Sequence, residues 1–412
     1  MAKTRIPFLF SLLLATASPS VSTAQTNDAD RLKAELEALR LEFSNRIAEL
    51  EARLKTVEAG ASATAPPTPT PPAAEASAAF IPPPPIVAAP STSSKVFNPD
   101  MAAIGDFIGA VGKSPGGGEP SLQLHEAEVS LQAAVDPFAR ADVFLTFGPE
   151  EVGVEEAFIT FPTLPGGFLM KVGKMRDAFG KINGLHNHLL QFTERPLMTQ
   201  NLLGGEEGLG DSGISVARLF PNRLAFIEAI GEIYRGESSI FKAEKRGDLA
   251  YVSHLRGYRD LTESTNLDLG ASFARGHNDA GPGQTTRLFG ADATLRYRPL
   301  RRSIYTHFLA RAEMAWSRRS ELSGPSAFGA YGYLEYQFGR RWTAGARLDT
   351  AERAIDPSVN DKGASLLLTY APSEFSLVRG QYRHTRFGEG PKSNEFLFQF
   401  IFSIGAHGAH VF

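Results

Sequence analysis

The chain has 412 residues, a formal charge of −3 and no cysteine. The near-neutral balance excludes a strongly basic nucleic-acid-binding surface, and the missing thiols exclude a disulfide framework and a thiolate metal site. What remains is a chain long enough for one large domain with accessory segments.

The first segment reads as an export signal. Lys3 and Arg5 precede the apolar run Ile6–Ala17, and Ser22-Thr23-Ala24 offers small residues around a cleavage point, so residues 1–24 are expected to be removed and fold reasoning begins near Gln25. The apolar run is well short of the ~20 residues that a spanning helix needs. No later segment is long and apolar enough either, so any membrane crossing has to be made by a barrel.

From 25 to 60, Leu32, Leu36, Leu39, Phe43, Ile47, Leu50, Leu54 and Val57 follow the 4-3 spacing of a coiled-coil seam, with a stutter between Phe43 and Ile47. A helix with such a stripe has to bury it, and self-association, as a homotrimer, is expected. Residues 61–95 hold ten prolines among alanine, serine and threonine, the composition of an extended spacer without a core.

From 96 to 412 one pattern recurs. Segments of about ten residues alternate apolar and polar side chains and are joined by turn residues. In ARADVFLTF (139–147), Ala141, Val143, Leu145 and Phe147 share one face while Arg140 and Asp142 take the other. The same opposition recurs in RLFGADATLRYR (287–298), THFLARAEMAW (306–316) and WTAGARLDT (342–350). Short turns alternate with longer, polar, glycine-rich connections. The expected fold is all-β: an antiparallel transmembrane barrel of about sixteen strands, centred near 104, 127, 143, 158, 170, 215, 228, 253, 270, 292, 310, 333, 346, 367, 380 and 400. An even count leaves both ends on the periplasmic side, where the coiled coil would lie.

If the apolar faces meet lipid, the charged faces line the lumen. Candidate pore-lining residues are Arg140, Asp142 and Lys171, then Glu228, Arg256, Asp292 and Arg296, then Arg311, Glu313, Arg347, Asp349, Arg379 and Arg383. The signs are interleaved, which predicts a hydrophilic pore of weak selectivity. The longest connection, 171–213, is rich in leucine and is expected to fold inward as a constriction. Within it His186 and His188 would project to one side of an extended segment and are candidate metal ligands, with Glu194, Glu206 or Glu207 completing the site. No other cofactor is expected.

The stretches GGFLMKVGKM, FGKINGLHNH, TERPL, GEEGLGDSGISVARLFP and FSIGAHGAHVF resemble the phosphate-selective porin O/P group and related barrels, some labelled zinc-regulated TonB-dependent outer membrane receptors. The resemblance covers about residues 96–412 and implies a sixteen-stranded, often trimeric channel. Phosphate-selective members rely on a lumen ladder of arginines and lysines, whereas here both signs alternate. A TonB-dependent receptor carries a globular plug; here a coiled coil and a proline-rich linker precede the barrel.

The last strand sets Phe396, Phe398, Phe400, Phe402 and Ile404 in one row, in phase with the terminal Phe412. By the same resemblance a closing phenylalanine is the signal read by the barrel-assembly machinery. His407 and His410 lie three apart and point to opposite faces of a strand. The sequence thus predicts a passive outer-membrane porin with lipid as its surroundings. A metal-uptake receptor is the first alternative and an envelope tether acting through the coiled coil the second. No serine sits in a recognisable nucleophile motif, so no enzymatic role is expected.

Overall fold

The computed structural model describes residues 99–115, 120–149 and 152–405. The expected signal peptide, coiled coil and linker, together with His407, His410 and Phe412, lie outside the described residues.

Sixteen antiparallel strands form a closed barrel, each paired with its neighbours in the chain. They are β1 (Asp100–Lys113), β2 (Leu122–Asp136), β3 (Ala139–Phe147), β4 (Val152–Leu164), β5 (Phe168–Arg176), β6 (Gly210–Phe220), β7 (Phe226–Tyr234) and β8 (Ala250–Thr262). The second half comprises β9 (Thr265–His277), β10 (Thr285–Tyr297), β11 (His307–Arg319), β12 (Ala327–Gly339), β13 (Trp342–Glu352), β14 (Asn360–Ser373), β15 (Ser376–Arg386) and β16 (Lys392–Gly405). Every strand centre expected from the alternation falls inside an observed strand. The seam closes between β1 and β16 in a continuous register from Ala102↔Gly405 to Lys113↔Asn394. There the ring of Phe402 lies over Gly105, where a Cβ would sit only 2.4 Å from the ring; a side chain at 105 would push the closing strands apart.

The two faces separate as period-2 alternation demands. Along β13 and β14, Leu348 and Leu366 are 68% and 64% exposed, while Arg347 and Ser365 are 2% and 3% exposed. A closed barrel with an apolar outer belt satisfies its backbone internally and presents hydrocarbon outward, which makes this a transmembrane barrel. Exposed aromatics gather near both rims. Phe138, Phe220, Phe338 and Trp342 lie toward the short turns, and Phe147, Tyr251, Trp316 and Tyr382 toward the long connections, matching the interfacial girdles of such barrels.

Register shifts occur at five of the short turns, and two more lie within the strands, away from those turns. Between β1 and β2 the register passes from Asp106↔Glu126 to Phe107↔Leu124, leaving His125 as an extra residue. Between β3 and β4 it passes from Phe144↔Glu156 to Leu145↔Val154, leaving Glu155 extra. Bulges of this kind re-aim side chains, and both lie beside the loop described next.

Candidate functional site: an infolded loop and its carboxylate–histidine seat

Strand β5 runs on to Arg176 and β6 starts at Gly210, so the longest connection is 177–209, shorter at both ends than the sequence pattern suggested. Its polar atoms meet wall residues on β2, β4, β7, β9, β11, β13 and β15: Glu128, Glu156, Glu232, Asp268, Glu313, Arg347 and Gln381. One segment can reach strands around the circumference only from inside, so the loop occupies the lumen. It contains a 3-10 turn, Asn187–Leu189, and one short helix, α1 (Leu197–Leu202).

The apolar side chains drive the infolding. Phe179, Ile182, Leu190, Phe192, Met198, Leu202, Leu203 and Leu209 are all at most 2% exposed and pack against Val252, Ala274, Leu288, Ala315, Tyr331, Tyr333 and Leu367 of the wall. At ~25 cal/mol per Å² of apolar surface removed from water, eight such side chains supply a strong driving force. The wall is small where the loop is large. A Cβ at Gly290 would come within 2.8 Å of Phe179, and one at Gly329 within 2.9 Å of Leu202.

The loop is also tied internally. Arg195, 1% exposed, donates from Nε to Asn187 Oδ1 (3.1 Å) and the Glu206 carbonyl (2.5 Å), from Nη1 to the Ile182 carbonyl (3.0 Å) and from Nη2 to the Leu185 carbonyl (2.6 Å). Burial, with Arg176 nearby, pulls its guanidinium down to about 9, so it is charged at neutral pH. Asn183 joins the two ends of the loop: its Nδ2 donates to the carbonyls of Asp177 and Leu209, and its Oδ1 accepts from the Leu209 N–H at 2.7 Å. Neither residue was singled out by the sequence reading, although both lie in the quoted FGKINGLHNH and TERPL stretches.

All thirteen candidate pore-lining residues sit on inward-facing strand positions, and most are engaged with opposite charge or with the loop. Arg140 pairs with Asp142 at 2.9 Å, and Lys171 lies over the Phe158 ring at 4.5 Å. Arg256 reaches Asp268 at 2.8 Å and Glu228 at 3.8 Å, and Arg296 reaches Asp268 at 3.8 Å. The Asp292 carboxylate lies against Gly270. Arg311 donates to Gln191 Oε1 at 3.1 Å. Glu313 accepts the N–H groups of Lys181 and Ile182 at 3.0 and 2.9 Å. Arg347 bridges Asp349 at 2.8 Å and Glu194 at 2.5 Å. Arg379 donates to Gln399 at 2.7 Å, and Arg383 pairs with Glu395 at 2.6 Å. Arg311, Glu313, Arg347 and Asp349 are 2–6% exposed because the loop lies on them.

His186 and His188 come together, with ring centroids 5.7 Å apart and the planes perpendicular. Their carboxylate partners are not those proposed from the sequence. Glu194 is held by Arg347 and Gln381, Glu206 lies 3.9 Å from His125, and Glu207 offers its backbone carbonyl to Arg176. The wall supplies the partners instead. His186 Nδ1 is 2.7 Å from Glu128 and 3.6 Å from Glu155, and its Nε2 is 2.7 Å from Glu156. His188 Nδ1 is 3.7 Å from Glu128. Glu155 and Glu156 are consecutive yet both face inward because of the β4 bulge. Strict alternation would turn one of the two outward, so the sequence pattern held no signal for the pair. Arg176 balances part of the charge, donating from Nε to Glu155 at 3.0 Å and from its backbone N–H to Glu156 at 2.7 Å.

No known family profile matches the chain. Among solved structures it is similar to an anion-selective porin from Comamonas acidovorans (TM-score 0.53, 10% identity, 74% of this chain and 99% of that one). It is also similar to Pseudomonas putida OprB (0.52, 10%, 74% and 94%) and to a loop L8 deletion mutant of OmpT, an outer membrane protein of Vibrio cholerae (0.52, 10%, 74% and 99%). At these identities the likeness establishes the porin-like barrel fold. A protein of Aquifex aeolicus (strain VF5), described as uncharacterized, is 30% identical across 78% of this chain and 81% of its own length. The chain belongs to the same family as that Aquifex aeolicus protein.

Proposed function

We propose that this chain is an outer-membrane porin, a passive channel for small hydrophilic solutes or ions whose aperture is set by the infolded 177–209 loop. The observation that carries the reading is the combination of a closed sixteen-stranded barrel, an apolar outer belt and a loop seated all around the inner wall. A barrel of this strand number leaves an aqueous lumen when nothing fills it; here the loop narrows that lumen. Because many lumen charges are paired with opposite charges, as in Arg347–Asp349–Glu194, and both signs are interleaved along the described wall, weak selectivity is the reading they favour. A phosphate preference, implied by the resemblance to the phosphate-selective group, draws no support from such a lumen. Active metal uptake is the weaker alternative, since the structural neighbours are porins. Assembly as a trimer, recognition of Phe412 by the assembly machinery and a periplasmic coiled coil belong to the same reading.

Planar-bilayer recording is the test. The purified full chain should add discrete conductance steps, with a small reversal potential in a KCl gradient. Silence across a wide voltage range from correctly folded protein would sink the channel reading, and a reversal potential near the anion or cation limit would sink the weak selectivity.

A further inference from the structure

The apolar core fastens the loop to the wall from β8 to β14. On the opposite side, facing β2 and β4, the contact is of another kind: four glutamates, Glu126, Glu128, Glu155 and Glu156, face His186 and His188. Ligand atoms of Glu128, His186 and His188 lie within 4.8 Å of one another, and so do those of Glu126, Glu128 and Glu155. Glu128 belongs to both sets.

Glu128 and Glu155 have side chains only 1% and 6% exposed. Yet Glu128 Oε1, Glu155 Oε2 and Glu126 Oε1 are buried oxygens that accept no hydrogen bond. Four carboxylates share the Arg176 guanidinium and two imidazoles, His186 wedged between Glu128 and Glu156 and His188 with its Nδ1 3.7 Å from Glu128. Each buried oxygen left without a hydrogen bond costs about 1–3 kcal/mol, so three of them together favour a further cation at this place. The donor set says which kind. Imidazole nitrogen with carboxylate oxygen suits first-row divalent ions such as Zn²⁺, Co²⁺ or the harder Mn²⁺.

We propose that Glu128, His186 and His188 bind one divalent transition-metal ion, with Glu126 or Glu155 completing the shell, and that this ion clamps the constriction loop to the wall. Glu156 takes the part of the carboxylate that orients a metal-bound histidine: it contacts His186 Nε2 at 2.7 Å, which leaves Nδ1 turned toward Glu128 and Glu155. Such outer partners fix ring orientation and raise ligand basicity. The two bulges fit this role, because the one in β4 brings Glu155 and Glu156 to the same side. The ion is a resident of the loop seat rather than a transported solute, and its binding holds whether or not the barrel conducts.

The experiment uses the full chain, folded in detergent and stripped with EDTA. Zn²⁺, Mn²⁺ and Co²⁺ are titrated separately by calorimetry, and Co²⁺ also by its visible absorption. Saturable binding of one ion per chain is expected, with a matching rise in the thermal midpoint. Glu156→Gln should weaken binding by ~10–100-fold, and His188→Ala and Glu128→Gln should abolish the one-to-one phase. Heat-modifiable gel mobility checks that each variant is a closed barrel. The proposal is overturned if none of the three ions binds folded wild-type protein at one per chain, or if both His188→Ala and Glu128→Gln keep wild-type affinity. If the two variants do not fold, Glu156→Gln decides the matter: a Co²⁺ titration shifted ~10–100-fold to weaker binding supports the proposal and an unshifted one overturns it.

Discussion

Replacing Arg195 with methionine should loosen the constriction loop without opening the barrel. All four hydrogen bonds of Arg195 end on atoms between residues 182 and 206, so the strand ladders lose nothing. Methionine keeps an unbranched apolar stem but lacks the guanidinium, so the chief change is the loss of its donors. Hydrogen bonds to a charged group contribute about 1.5–3 kcal/mol each, and each buried carbonyl left unsatisfied costs about 1–3 kcal/mol. Against this, the wild-type loop carries the desolvation of a buried guanidinium, several kcal/mol by itself. Three orphaned carbonyls less that relief leave a net loss of about 3 kcal/mol, which is roughly a hundredfold in the equilibrium between seated and unseated loop. Single-channel recording should show larger openings with frequent transitions, while gel mobility of the folded barrel stays unchanged. Arg195→Lys should behave similarly, because one ammonium cannot reach acceptors spread around a planar fork. Wild-type conductance and noise in Arg195→Met would refute the idea that this residue organises the loop.

Asp177 lies just past β5, and burial together with the nearby Glu232 and Asp211 carboxylates pushes its pKa well above the usual range. Its folded state therefore holds a proton more tightly than the unfolded chain. The associated stability is complete below the unfolded pKa of about 3.9 and is lost as pH rises through the folded value. Asp177→Asn should accordingly raise stability at neutral pH, with the gain shrinking toward pH 4 in urea titrations; a loss at neutral pH would contradict this. Gly180 has φ +64°, and a Cβ there would meet Glu313 Oε2 at 2.4 Å. Gly180→Ala should thus cost about 1–3 kcal/mol and disturb the two bonds from Lys181 and Ile182 to Glu313, giving noisier openings that Gly184→Ala, in open space, would not give. On the lipid face, Leu348→Arg should cost up to about 2–4 kcal/mol when folding into phospholipid vesicles is followed. A change under 0.5 kcal/mol would mean that this face does not meet hydrocarbon.

The strands were legible because closing a barrel in lipid imposes one rule on every segment. Most of each strand shows apolar residues at every second position, and Leu348 beside Arg347 on β13 is enough to tell outside from inside. The strand count followed from the recurring segments and the short turns between them, whereas the register came only from the structure. What alternation cannot show is its own interruption. Glu155 and Glu156 read as one residue in and one out, and only the β4 bulge brings both to His186. The glutamates first proposed as histidine partners, Glu194, Glu206 and Glu207, are near in sequence. The true partners, Glu128 and Glu156, lie 58 and 30 residues away and are neighbours only because the loop turns inward. The alternation assigns the charges a face, yet their surroundings depend on what fills the lumen. Arg347 on an empty wall would face water; under the loop it is shared between Asp349 and Glu194.

This bears on what sequence resemblance can say about such barrels. The stretches that carry it, FGKINGLHNH and TERPL, contain Gly180, Asn183, His186 and Arg195: the left-handed turn, the brace between the loop ends, the contact with the wall carboxylates and the internal anchor. Each acts on the loop itself or on its seat. Residues that would discriminate solutes have to remain exposed in the lumen, and Asn183 and Arg195 are 0% and 1% exposed. Resemblance in these stretches therefore tracks how the constriction is built and tethered, and a relative could share all of them while passing a different solute. Lys171, Arg256 and Arg296, on strands β5, β8 and β10, make none of the bonds that hold Asn183 or Arg195, so a change at any of them leaves the loop's internal ties intact.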